Sequence, residues 1–383
     1  MKILLVCKSL NTELGGIQTH TRYLARHLTQ LGAEVHLLTA GTWRKDRHWA
    51  MPGVTIHPLR YLPGYRLKGV RRLADDLLFN LHVLAWLCPR ARQYDLVHVQ
   101  GRSGILFAAL CPTPTPVVVT YHGITREEYQ HATAGKPLDL DRWLHQRIFH
   151  FLERQSYRRA SGVVTVSRYM RGRLRELLGR RKGPVAVISN GVEVTPLRPD
   201  SPPRRWVTFL GRLDENKGVR WLPDILARLP EPLGLRIIGS GRLSPWLREQ
   251  LQRRGLMPRV DWVGPLPHPM VMPLLEDSLT LLVPSIYEPQ GMVALEAFER
   301  GVPVVASSVG GLEELVQSNQ NGWLLPPGDV AGIVQRIQEM YQSPELQQRL
   351  GKVGRQRVQQ RYQWSHVAAQ TLDFYRDTLS YLP

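Results

Sequence analysis

Cysteine is scarce, with three in 383 residues: Cys7, Cys88 and Cys111. The number is odd and no two are spaced CxxC, so neither a disulfide framework nor a cysteine zinc site is expected. Long apolar runs are also missing. The most apolar stretch, Leu77 to Cys88, is broken by Asn80 and His82 and falls short of the ~18 uninterrupted apolar residues that a membrane span needs. The opening run from Met1 ends at Lys8, too short for a secretory signal, and reads as a buried strand. These absences fit a reducing cytoplasm, with the inner face of the cytoplasmic membrane as a peripheral station. Aromatic RNA motifs, recognition-helix patterns and zinc spacings are lacking as well, so no nucleic-acid partner is expected despite a formal charge of +18.

What is present is length and alternation. A chain this long, with 43% hydrophobic residues, suits two globular domains. Apolar runs of strand length alternate with helical-period segments throughout, the pattern of α/β proteins with parallel sheets wrapped by helices. Seven strand-like runs precede residue 190, and long helices are expected near 16–31, 72–92 and 139–160. Residues 191–205 concentrate proline and end in charge, so they read as a linker. Six further strand-like runs begin at Trp206, and everything after Gly328 looks helical. The expected organisation is a Rossmann-like domain over 1–190, a linker over 191–205, a second Rossmann-like domain over 206–360 and a terminal helix over 361–383. Two doubly wound domains should face each other across a cleft, with ligands at the carboxyl ends of strands.

The chemistry-bearing residues follow strands. Val283 to Glu296 runs from strand through loop to a helix start, with Glu288 in the loop and Glu296 in the helix. Free backbone N–H groups around Gly291, Met292 and Val293 can hold a phosphate, while the two glutamates accept hydrogen bonds from sugar hydroxyls. Phe209 to Gly218 is a second such segment, and places Gly211, Arg212 and Lys217 after a strand. Arg offers a planar fork and Lys a compact charge, a pairing suited to a departing diphosphate. Gly15 and Gly16 follow the first strand, in the loop from Leu14, and open a helix, where bare backbone can approach a phosphate. His122 stands at the end of a buried strand.

Gly211-Arg212 with Lys217, followed by Glu288 and Glu296 in a Glu-x7-Glu pattern, resembles glycosyltransferase family 4 of the GT-B fold. Gly239-Ser-Gly241, Gly310-Gly311 with Glu314 and the helical C-terminus extend the likeness to the whole chain. The resemblance implies that Arg212 and Lys217 neutralise the diphosphate of a UDP- or GDP-sugar, that Glu288 binds donor-sugar hydroxyls and that Glu296 binds the ribose. It implies backbone contacts from Gly291 to Val293, a donor-side place for Gly239 and Gly241, and an active-site place for His122. It further implies transfer with retention of anomeric configuration, no cofactor and no bound metal, and a terminal helix returning to the first domain. Asp139 and Asp141 form an Asp-x-Asp in Leu138 to Arg142, but there helix capping is the simpler expectation. Pro289 and Gln290 follow Glu288 where many family members have an aromatic residue and Gly, so no donor sugar is named.

The charge is lopsided. Residues 1–200 hold 30 Lys+Arg against 14 Asp+Glu, and the remainder 20 against 18. The first domain of such enzymes supplies most of the acceptor site, so an anionic or lipid-linked acceptor and peripheral contact with an anionic membrane are one reading of the surplus, and an Arg-rich composition with no such partner is the other. The basic-ended segments Leu67 to Arg92 and Arg142 to Arg159 suit helices lying on lipid, or equally helices covering the sheet. A nucleotide-sugar epimerase on the same fold and a non-enzymatic basic binding protein stand as alternatives.

Overall fold

The structure, a computed structural model, describes residues 1–10, 15–41, 51–61, 64, 69–132, 139–198 and 204–381. Leu14, the Leu67–Lys68 start of the basic segment, Leu138 and residues 199–203 of the expected linker lie outside the described residues. The chain forms two units, one of Met1–Asn190 with Trp364–Pro383 and the other of Gly191–Gln363.

In the first unit β1 (Lys2–Val6), β2 (Glu34–Ala40), β3 (Val54–Leu59), β4 (Leu96–Gln100), β5 (Val117–Tyr121), β6 (Gly162–Thr165) and β7 (Val185–Val187) make one parallel sheet. Its order is β3-β2-β1-β4-β5-β6-β7, so the winding reverses between β1 and β4. Strands β4 and β5 are buried along their whole length, as sheets covered on both faces require. Helices α1 (Gly16–Gln30), α2 (Arg71–Leu87), α3 (Ile105–Leu110), α4 (Thr125–Ala132), α5 (Leu140–Arg159) and α6 (Arg168–Leu178) connect the strands. On α1 the buried Thr21, Leu24, Ala25 and Leu28 follow the helical period and cover the sheet. The Asp-x-Asp is used in capping: Asp139 accepts from Arg142 N at the start of α5. Asp141 accepts from Arg72 N and Leu73 N, both at 3.0 Å, at the start of α2.

In the second unit β8 (Trp206–Leu210), β9 (Gly234–Ile238), β10 (Val260–Gly264), β11 (Ser278–Val283), β12 (Val304–Ser307) and β13 (Gly322–Leu325) form a parallel sheet ordered β10-β9-β8-β11-β12-β13. Helices α7 (Leu222–Arg228), α8 (Ser244–Arg253), α9 (His268–Glu276), α10 (Met292–Glu299), α11 (Leu312–Leu315), α12 (Val330–Gln342) and α13 (Pro344–Arg361) surround it. The entry segment is packed on this unit. Val192 N donates to Tyr362 O at 2.8 Å, Thr195 N to Glu299 Oε1 at 2.8 Å and Arg198 N to Glu276 Oε1 at 2.5 Å. Arg300, buried with these two carboxylates, also reaches Thr195.

The last helix, α14 (Trp364–Ser380), belongs to the first unit. Trp364, Val367, Ala368 and Tyr375 are buried in one cluster with Ile3, Leu5, Leu24 and Leu28. Tyr375 also shares a 2.5 Å hydrogen bond with His98 Nδ1 beneath β4. Two crossings of the chain therefore join the units, one at 190–191 and one at 363–364.

Candidate functional site

In the second unit the loops that follow β8, β9 and β11 are locked together by backbone. Gly218 adopts a positive φ, and a Cβ there would meet Pro284 O at 1.7 Å, so only glycine lets the β8 loop lie on the β11 loop. Ile286 N donates to Asn216 O at 2.9 Å across the same contact. Gly239 lies against Gly211 and Gly241 against Leu213 with equally little room, which fixes the β9 loop to the β8 loop.

This bracing sets the polar side chains. Lys217 Nζ donates to Glu288 Oε2 at 2.6 Å, joining two residues 71 positions apart. Glu288 is only 8% exposed. Arg212 is largely open to solvent, its nearest carboxylate being Asp214 Oδ2 at 3.3 Å. Asp214 in turn accepts from Arg242 N at 3.2 Å. Gly291, in the left-handed region, precedes α10, and no side chain caps the first turn at Met292 and Val293. That turn keeps unfilled N–H groups beside the positive end of the helix. One turn along, the buried Glu296 accepts from His268 Nε2 at 3.2 Å. Burial opposes a charge on His268, but Glu296 outweighs it and raises the imidazole pKa above its usual value. Gly311 sits on Pro289 and Gln290, with Gly311 N donating to Glu288 O at 2.9 Å.

The first unit gathers a second group at the carboxyl ends of β1, β4 and β5. His122 Nε2 donates to Gln100 Oε1 at 3.0 Å, which leaves Nδ1 as the acceptor. Burial, then the neighbouring His20 and His98, holds its pKa well below the ordinary value, so the ring is neutral near pH 7. His20 is edge-on to His122 at 4.8 Å between ring centroids. Its Nδ1 meets Asn190 Oδ1 at 2.6 Å, while the buried Nε2 has no partner. Burial lowers the His20 pKa to about 4. Gly15, at φ 147°, is the N-cap of α1 and Gly16 its first residue. Beside them Lys8 Nζ meets Asp75 Oδ2 at 2.7 Å and Asp76 Oδ1 at 2.5 Å. Arg102 meets Glu128 Oε2 at 2.8 Å.

Arg212, Lys217, Glu288, Gly291, Met292, Val293 and Glu296, with Gly211, Gly239 and Gly241, thus share one end of the second sheet. Gly15, Gly16 and His122 share one end of the first. Sequence reasoning passed over Lys8, His20, Gln100, Arg102, Asp214 and His268. Lys8 and Arg102 carry a usable signal, a cation two residues beyond the end of a strand in the parallel sheet. His20 and His268 sit inside helical segments and carry none.

Residues 14–196 match the family model described as Glycosyltransferase Family 4, and residues 199–357 that of Glycosyl transferases group 1. The chain is 27% identical over 395 residues to glycogen synthase of Mycobacterium tuberculosis, covering 94% of this chain and 91% of that protein. Sucrose-phosphate synthase from Thermosynechococcus elongatus is similar in structure at a TM-score of 0.84, with 25% identity and 99% of each chain covered. Anabaena HepE, solved in complex with UDP-glucose, is similar at 0.73 with 22% identity and all of both chains covered. Two doubly wound parallel sheets in this company define a glycosyltransferase of the GT-B type. Within that class, the chain belongs to glycosyltransferase family 4.

Proposed function

We propose that this glycosyltransferase takes a hexosyl group from a UDP- or GDP-sugar and transfers it with retention, without a metal or other cofactor. The observation that carries the reading is the Lys217–Glu288 pair at 2.6 Å, set beside the uncapped start of α10. A diphosphate seated there meets Lys217, Arg212 and the N–H groups at Gly291 to Val293. Glu288 accepts from sugar hydroxyls and Glu296 from the ribose. The acceptor oxygen bonds to the anomeric carbon as the carbon–oxygen bond to phosphate breaks. The electron pair leaves with the diphosphate, one of whose oxygens takes the acceptor proton. The protein then acts by placing substrates and stabilising the diphosphate charge. His122, neutral and anchored through Nε2, offers Nδ1 to a hydroxyl and moves no proton. Metal independence is supported by the engagement of Asp139 and Asp141 in helix caps.

The test is a donor panel read by nucleotide diphosphate release and by the anomer of the product, with and without EDTA. Retention, EDTA resistance and loss of turnover in Arg212→Ala are expected. An inverted anomer or an EDTA-abolished rate contradicts the mechanism, and epimer formed from donor alone supports the epimerase instead.

A peripheral membrane contact is proposed alongside, on the exposed face of α5. Leu140, Trp143 and Phe151 are 64%, 45% and 54% exposed, and Arg147, Arg154 and Arg158 lie between and beyond them. The Arg147 guanidinium stacks over the Trp143 ring at 5.0 Å. Apolar rings interleaved with cations on one helical face match an anionic bilayer surface, and an acceptor carried by that surface is the corresponding proposal. By contrast α2 buries Leu73, Phe79, Val83 and Leu87, which makes it chiefly a sheet-covering helix.

A further inference from the structure

Three cysteines without CxxC spacing predict no pairing, yet the fold brings two of them together. Cys88 and Cys111, 23 positions apart, stand with their Sγ atoms in contact at 2.8 Å, and both are free thiols. Each ends a helix. Cys88 is the C-cap of α2 and its N–H donates to Leu84 O at 3.0 Å. Cys111 is the C-cap of α3 and its N–H donates to Phe107 O at 3.0 Å. The two helices pack with α5 through Leu73, Ile105, Leu106 and Leu152. Two capped and packed helix ends therefore set the meeting of the thiols, whose Cβ–Sγ bonds point at one another as a disulfide requires. No third His, Cys, Asp or Glu joins them as a metal set among the described residues.

The pair also differs from the third cysteine in access. Cys7 is 1% exposed and donates to Ser9 O at 3.1 Å, whereas Cys88 is exposed and Cys111 is half-buried beside Leu84 and Trp86. Burial, then the Cys88 thiol, pushes the Cys111 pKa up to about 12. Cys111 therefore stays protonated at neutral pH, and the exposed Cys88 is the thiol that a dissolved disulfide can reach. With the two thiols in contact, resolution of a mixed disulfide on Cys88 is intramolecular, which favours it over attack by a dissolved thiol.

We propose that Cys88 and Cys111 form a reversible dithiol–disulfide site that reacts with small-molecule disulfides of the glutathione class and, once oxidised, staples the end of α2 to the end of α3. The Cys88 thiolate attacks one sulfur of the dissolved disulfide and expels a thiolate, leaving a mixed disulfide on Cys88. Cys111 then gives up its proton, attacks Cys88 Sγ and expels the second thiolate. The protein loses two electrons and two protons, and the dissolved disulfide takes them up as two thiols. In reducing surroundings both cysteines are thiols, so the site follows its surroundings and is no structural framework. The ring closed by oxidation contains β4 and the turn from Gly101 to Gly104, whose two glycines lie in the left-handed region. A bond across it removes freedom from the unfolded chain and holds down the short α3. The inference is independent of the sugar-transfer reading.

The test equilibrates the full chain in buffers graded from reduced to oxidised glutathione, followed by acid quenching, intact mass and non-reducing peptide mapping. A monomer lighter by two hydrogens is expected, with one cross-linked peptide joining Cys88 to Cys111 and with Cys7 still free. Dithiothreitol should restore the thiols. Urea unfolding should give the oxidised chain an unfolding constant about 10²–10³-fold below that of the reduced chain, the value for a loop of this length. In Cys111→Ser the glutathione adduct on Cys88 should accumulate, because nothing resolves it. Thiols that persist in fully oxidised glutathione overturn the inference. So does a native chain that stops at the mixed disulfide, a bond made to Cys7 or between chains, no adduct in folded Cys111→Ser, or an oxidised chain no more stable than the reduced one.

Discussion

At the residue scale the account turns on groups whose partners set their chemistry. Lys217 is held by Glu288 at 2.6 Å in this structure, so on the proposed reading an arriving diphosphate would share it with a carboxylate that itself would turn to the sugar. Lys217→Met is expected to lower kcat by about 10²–10³-fold, the scale of one lost transition-state donor, with steady-state kinetics on the donor as the check. The histidines predict a pH response. His20 has its folded pKa lowered to about 4, so in acid the unfolded chain takes up a proton that the folded chain refuses. Its contribution to stability is therefore present above the unfolded value near 6.5 and falls away as pH drops toward about 4, by roughly 3 kcal/mol at 1.36 kcal/mol per unit. Urea midpoints from pH 7.5 to pH 4 should fall steeply below 6.5, less so in His20→Gln. His268 works in the opposite sense. With its pKa raised by Glu296, its contribution is complete below the unfolded pKa and is lost as pH climbs through the raised folded one. Removing His268 should flatten the alkaline side of the same curve.

At the scale of elements, strands were the most legible part of the sequence. All thirteen strands among the described residues lie within a residue or two of apolar runs visible beforehand, and those buried along their whole length, such as β5 and β11, are rich in Val and Leu. Short helices were not visible. The six residues of α3 and the eight of α4 are too few to display a helical period. The Asp-x-Asp was read as capping, and Asp139 caps its own helix, but nothing in the sequence says that Asp141 caps α2, 68 and 69 positions away. Asp141→Ala should cost about 1 kcal/mol, the usual value of an N-cap, measured as a shift in the denaturant midpoint at unchanged slope. The α5 face gives the other prediction at this scale. Changing Arg147, Arg154 and Arg158 together to Gln should weaken sedimentation with phosphatidylglycerol vesicles by roughly a hundredfold, at about 1 kcal/mol per cation. Equal binding to phosphatidylcholine vesicles by the native chain would remove the membrane proposal.

For the whole molecule, the grouping of the candidate residues at the ends of strands was legible and the connections between them less so. Arg212, Lys217, Glu288 and Glu296 could be grouped because each follows a strand of one sheet, and the strand periodicity locates them. The bracing of their loops by Gly218 on Pro284 could not be foreseen, since it depends on a backbone contact across 66 positions of sequence. Nor could the pairing of Lys8 with Asp75 and Asp76, or of Arg102 with Glu128, which joins residues 67, 68 and 26 positions apart. The return of α14 to the first unit makes residues 364–380 part of that core. Tyr375→Phe should cost about 1–3 kcal/mol by leaving His98 Nδ1 buried without its hydroxyl.

The central claim is that one end of the second sheet grips a nucleotide diphosphate. Calorimetric titration of UDP and GDP into the native chain and into Glu296→Ala tests it most directly. At least one nucleotide should bind the native chain and lose about 10–100-fold in affinity on the substitution, the worth of a hydrogen bond to a charged group. Equal affinity in the two proteins, or no binding of either nucleotide to the native chain, would contradict the account.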